Sequence, residues 1–149
     1  MRRLRRFLAL PAADRRLLVE AALFLWAIRL GLRMLPFRTL WRLLDGAPRA
    51  FIGLPTDRPF APDRIAWAVS VTSQYVLGTR PCLPQALAAQ LLLVRRGLPA
   101  CLRLGVAKGD RGEVQAHAWM ETDGRIVTGG SKSELERYTS LLVLNAQAR

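Results

Sequence analysis

The stretch Pro81–Ala100, PCLPQALAAQLLLVRRGLPA, leaves this chain few choices. Leu83, Leu87, Leu91 and Val94 recur at helical spacing and give a helix an apolar face. Pro81 and Pro84 fit only ahead of that helix or in its first turn, where a missing N–H has no intrahelical acceptor to lose. Arg95 and Arg96 suit its negative end, and Gly97 suits the residue just past it. Cys82 therefore stands at a helix N-terminus, a place that favours the nucleophilic thiolate. A cysteine in an arbitrary sequence is most simply a small buried hydrophobe. Against that stands His117, the one histidine of the chain, in EVQAHAWMETDGRIVTG. A thiol and an imidazole are the minimum for a nucleophile with its base.

A chain of 149 residues fits one domain with a sizeable core. Its formal charge is +12, of which residues 1–50 supply +8 and the remainder +4. A basic N-terminal third can meet nucleic acid, an anionic membrane surface or an acidic protein. Nucleic acid is the poorest fit, because the arginines lie among leucines and no nucleic-acid motif is present. The two cysteines, Cys82 and Cys101, form no CxxC pair and share no metal spacing with His117. A disulfide between them would be unusual in a reducing compartment, and Cys101 reads as a buried strand residue.

The organisation reads as an N-terminal helical region (residues 1–46), a proline-rich connector (47–62) and a core (63–149), together one compact unit. Residues 15–35 read as one long helix ending before Pro36, and residues 37–44 as a short second one. The long helix is nearly apolar enough to span a bilayer, but Glu20, Arg29 and Arg33 interrupt it. It is expected to face the core or a partner, with an interfacial helix and a true span as alternatives. A signal peptide is disfavoured, since no small-residue cleavage site follows the basic start. Asp63 reads as the cap of a helix that ends at Gly78.

Beyond the cysteine helix the period changes. Ala100, Leu102, Leu104 and Val106 alternate with Cys101, Arg103 and Gly105, which predicts a strand. Residues 108–112 make a turn, and residues 113–122 return as a second strand. Asp123-Gly124 signals a tight turn into a third strand from Arg125. Gly129–Gly130 breaks that strand, residues 133–138 suggest a helical turn, and LLVLN an edge strand. An antiparallel sheet following helices makes the class α+β. Alternation puts Gln115, His117, Trp119 and Glu121 on one face of the second strand, where the helix end bearing Cys82 can lie over His117.

The combination CLPQALAAQLLLVRRGLPACLRLGV with AHAWMETDGRIV resembles the transglutaminase-like cysteine peptidases. It resembles more closely the leader peptidases of lasso-peptide biosynthesis, the microcin-processing B proteins. The shared features are Cys82–Leu83, Arg95–Ala100, Gly105–Val106 and His117–Gly124, together with the arginine-rich N-terminal block. The resemblance implies a transglutaminase/papain-like core, with the cysteine helix packed on an antiparallel sheet. It implies a cytoplasmic peptidase, with membrane association left open, that cuts the leader from a ribosomally made precursor. A separate leader-recognition protein and a macrolactam cyclase would be its partners, and it would need neither metal nor cofactor. Cys82 would be the nucleophile and His117 the base, with the backbone N–H of Cys82 as an oxyanion donor and Gln74 as a weaker second.

The family's third member is an Asp, often on the strand after the histidine; here that place reads Val127-Thr128-Gly129-Gly130. Asp123 is the candidate, although an Asp-Gly turn wants it for itself. Glu121, Thr128, a backbone carbonyl or a plain Cys–His dyad are the alternatives. A catalytically weakened binding subunit and a membrane-surface helper are the competing functional readings.

Overall fold

The computed structural model describes residues 5, 7–51, 61–78 and 81–146; side chains are described outside 47–51. Four helices come first: α1 (Ala12–Met34), α2 (Phe37–Phe51), α3 (Pro62–Leu77) and α4 (Cys82–Val94). Strands β1 (Ala100–Lys108), β2 (Val114–Thr122) and β3 (Arg125–Thr128) follow, then the single-turn α5 (Lys132–Leu135) and β4 (Thr139–Ala146). The sheet is antiparallel in the order β3-β2-β1-β4. The α+β expectation holds, including the last strand, which pairs along the outer side of β1.

The cysteine helix is the centre of the molecule. The sequence suggested one apolar face, yet every residue from Ala86 to Val94 is buried. The reason is that α1 and α3 cover the side that the sheet leaves open. Leu17, Ala21, Leu25 and Ile28 of α1 meet Ile65, Ala68 and Val69 of α3 and Leu87, Leu92 and Leu93 of α4 in one core. Leu102, Ala118 and Met120 close that core from the sheet. A helix wrapped on all sides has no use for a polar stripe, which is why α4 reads as apolar almost throughout.

Ion pairs at two carboxylates fix α1 against its neighbours. Arg64 of α3 grips the buried Asp14 with both arms of its guanidinium, one at 2.9 Å. Its hydrogen bonds hold the Asp14 carboxyl below the usual carboxylate range. Arg96, just past α4, donates to Glu20 at 2.9 Å, with Arg95 at 3.9 Å from the same carboxylate. The outward face of α1 is different. Val19, Leu23, Trp26, Leu30 and Met34 form an exposed apolar line, with Leu23, Trp26 and Met34 at 62, 61 and 72 % exposure. Arg29 and Arg33 flank it, also exposed.

Several boundaries differ from the sequence reading. The second helix runs on to Phe51, through Pro48, into the stretch assigned to the connector. Residues 52–60 of that connector lie outside the described residues. Pro62 is the first residue of α3 rather than the end of a linker, so Ala61 takes the cap position and Asp63 falls in the first turn. A fixed proline φ is ready-made for that site. Gly97 behaves as expected: at φ 74° it lets Leu98 N–H reach Leu93 O at 3.0 Å and close the helix. No helix among the described residues is long and apolar enough to cross a membrane, so the span reading of α1 falls.

Candidate active site

Cys82 opens α4, with Pro81 before it in an extended conformation and Pro84 within the first turn. Extended Pro81 aims the helix start toward the end of β3. There an open cavity of about 490 Å³ is lined by Cys82 and Gln85 of α4, Ala66, Trp67 and Ser70 of α3, and His117 of β2. Val127, Thr128, Gly129 and Gly130 complete its wall. Thus the two residues picked out by chemistry, 35 positions apart in the chain, face one space.

His117 pairs with Gly105 across the β1–β2 ladder. Alternation sends Ala118 and Met120 into the core and leaves His117 half-buried on the opposite side. Three contacts fix its ring. The ring of Tyr138 lies 5.1 Å from it, centre to centre and nearly parallel, and that of Trp119 lies at 6.4 Å. The third is polar: Nε2 bonds the carbonyl oxygen of Gly129 at 2.5 Å. A carbonyl only accepts, so Nε2 carries the hydrogen and Nδ1 is left as the basic nitrogen.

Gly129 can present that oxygen only because it is glycine. Its φ is 109°, and a Cβ there would lie 2.3 Å from Cβ of Trp119. The backbone thus passes directly over Trp119 as it leaves β3. Gly105 serves the same packing from the neighbouring strand, where a Cβ would come within 3.0 Å of the Trp119 ring. The pair Gly129–Gly130 was legible only as a strand break, and its carbonyl carries no sequence signal of its own. Tyr138 was likewise missed, because it follows the short helix rather than belonging to it.

Asp123 is not brought to this place. It is the exposed first residue of the β2–β3 turn, with φ 48°, six residues and about 20 Å along the strand from His117. The turn takes the Asp-Gly pair for its own geometry, as such turns require. Glu121 is also committed elsewhere, accepting from Arg103 Nε and Trp119 Nε1, each at 2.9 Å. Thr128 lines the cavity, but its buried hydroxyl has no hydrogen-bond partner among the described residues. Gln74 is exposed on α3, and its amide reaches only the Gly78 carbonyl at 3.5 Å. The acidic group that His117 does influence is Glu134. Its carboxyl is held low first by the backbone N–H and hydroxyl of Ser131, with a smaller contribution from His117. Among the described residues no His, Cys, Asp or Glu cluster of three could hold a metal ion.

The second cysteine is of another kind. Cys101 lies in β1 opposite Glu121 and Asn145, and burial pushes its thiol up. Both cysteines are free.

A thiol at a helix start, an imidazole held through Nε2 and an open cleft lined by both make a layout for acyl transfer. The model of the transglutaminase-like superfamily matches residues 22–143. The chain belongs to that superfamily. The match takes in α4, β1 to β3, the first part of β4 and the second half of α1, so the long helix counts as part of this domain. Comparison with curated proteins and with solved structures returned no match.

Proposed function

We propose that this transglutaminase-like protein is a cysteine peptidase that removes the leader from a ribosomally made lasso-peptide precursor. The observation that carries the peptidase part is the shared cavity of Cys82 and His117, with His117 aimed by the Gly129 carbonyl. The leader-peptidase part rests on the motif resemblance.

In this reading Cys82 Sγ attacks the scissile carbonyl carbon while Nδ1 of His117 takes the thiol proton. The carbonyl π pair moves onto oxygen, and the backbone N–H of Cys82 supports that charge. Collapse breaks the C–N bond, His117 returns the proton to the leaving amine, and Cys82 is left as a thioester. Water attacks the thioester with Nδ1 as base, and the leader departs with a new carboxylate. The Gly129 carbonyl keeps the ring in one tautomer and orientation throughout, the work usually given to a carboxylate. The partners would be the precursor peptide, a separate recognition protein and a macrolactam cyclase, in the cytoplasm. The exposed line on α1, flanked by Arg29 and Arg33, supports a docking role for the N-terminal region.

One observation favours a second reading, a binding subunit without activity: no carboxylate bonds His117 among the described residues. The deciding experiment incubates the cognate precursor with wild type, Cys82→Ala and His117→Ala, each with and without the recognition protein, and reads the products by mass spectrometry. Cleavage by wild type alone is expected. Identical behaviour of all three would remove the peptidase reading and leave the binding subunit.

A further inference from the structure

Helix α4 is poorly supplied with donors at the end where it needs them. The first turn of a helix ordinarily offers several free N–H groups. Here Pro84 has none, and the Gln85 N–H is engaged with Pro81 O at 3.3 Å. Only the N–H groups of Cys82 and Leu83 remain in that turn to meet a developing negative oxygen.

A side chain on the same helix face offers a donor in place of the missing one. Gln85 is three residues on from Cys82, so the two share a helix face, and helical side chains lean back toward the N-terminus. Both line the same cavity. The amide nitrogen Nε2 of Gln85 is buried and has no hydrogen-bond partner among the described residues. A buried amide nitrogen with unused hydrogens costs stability, and such a group in the cavity that Cys82 lines calls for an explanation. Sequence reading passed over Gln85 and named Gln74 only as a weaker second donor; Gln74 is exposed on α3 and absent from the cavity lining.

We infer that Gln85 is a catalytic residue whose Nε2–H donates to the oxyanion formed when Cys82 attacks a carbonyl. The inference rests on the peptidase reading and adds to it. The neutral carbonyl of bound substrate would be held only loosely. As the C–S bond forms and the oxygen takes the electron pair, the amide gains a charged acceptor, so the benefit falls on the transition state. Pro84 and Gln85 then work together: one removes a backbone donor and the next residue replaces it with a side-chain donor.

Two small reagents separate this role from a structural one without any knowledge of the natural substrate. p-Nitrophenyl acetate acetylates Cys82 through a tetrahedral oxyanion and expels p-nitrophenolate. Iodoacetamide alkylates the same sulfur by displacing iodide at a CH₂ group, and no oxygen gains charge. Both adducts are mapped to Cys82 by mass spectrometry, so reaction at Cys101 is counted separately. In Gln85→Met and Gln85→Ala, acetylation should slow by at least about tenfold, in keeping with the loss of one oxyanion donor. Alkylation should keep the wild-type rate, which also shows the site to be folded. Unchanged acetylation, or an equal fall in both rates, would overturn the assignment while leaving the peptidase reading in place. A wild-type Cys82 no faster than free cysteine with either reagent would overturn both together.

Discussion

Gly129 carries two demands at one residue. Its backbone must adopt φ 109°, and its Cα must pass close over Trp119 so that its oxygen meets His117. Alanine can satisfy neither, so Gly129→Ala should push the carbonyl away from Nε2. A misplacement on the order of 1 Å in a catalytic group costs about 10²-fold. We therefore expect kcat for the proposed precursor cleavage to fall by about that factor, with a stability loss of about 1–3 kcal/mol from strain. Single-turnover kinetics and thermal unfolding of the variant would measure both, and wild-type kcat would refute the orienting role of the carbonyl. At this scale the sequence was half legible. Cys82 and His117 are rare side chains with chemistry written into their type. A peptide oxygen is present at every position, so nothing in Val127-Thr128-Gly129-Gly130 announced which one would be used.

Elements were more legible, because periodicity reports burial directly. The pairing of β1 with β2, the turn at Asp123-Gly124 and the stop at Gly97 all fell where the pattern put them, although the burial alternation of β1 changes phase after Leu102. Prolines misled in both directions. Pro48 lies within α2 and Pro62 begins α3, since proline tells where an N–H is absent and not which side of it is helical. What periodicity could not show was how α1 is fastened. The Asp14–Arg64 pair joins residues 50 positions apart and has no signature in either helix alone. It should leave a mark on acid stability. Folded Asp14 holds its proton less readily than the unfolded residue because Arg64 hydrogen-bonds the carboxylate. Its contribution is thus complete above pH about 4 and is lost as pH falls through the lower folded value. Thermal melts should show Asp14→Asn less stable than wild type near neutrality, with the gap closing as the solution is acidified below the ordinary carboxylate range. A gap constant with pH would mean that the pair does not couple to protonation.

For the whole molecule, the N-terminal third is structural and outward-facing at once. Leu17, Leu25 and Ile28 complete the core around α4, so removing residues 1–45 would unfold the protein rather than test a docking surface. Single charges on the opposite face make a better probe. Leu23→Glu and Trp26→Glu change exposed side chains only and should keep the thermal midpoint. If the arginine-flanked line receives a partner, both should weaken co-purification with the recognition protein or cyclase by at least about tenfold, the scale of a lost interface anchor. Binding that survives both substitutions would remove this face from the account. The basic excess of the first fifty residues hinted at such a surface, but composition could not say which arginines are spent inside the fold or which leucines remain outside.

The hydrogen bond from His117 to Gly129 also bears on how related chains are sorted. An acidic residue after the histidine can be erased by one codon change, and its absence is easily taken as a mark of decay. The oxygen that aims this ring belongs to the main chain, survives every side-chain replacement that tolerates the local bend, and gains no proton in mild acid. A search keyed to the missing carboxylate would pass over such an arrangement; one keyed to a glycine pair closing the strand beside the histidine would find it.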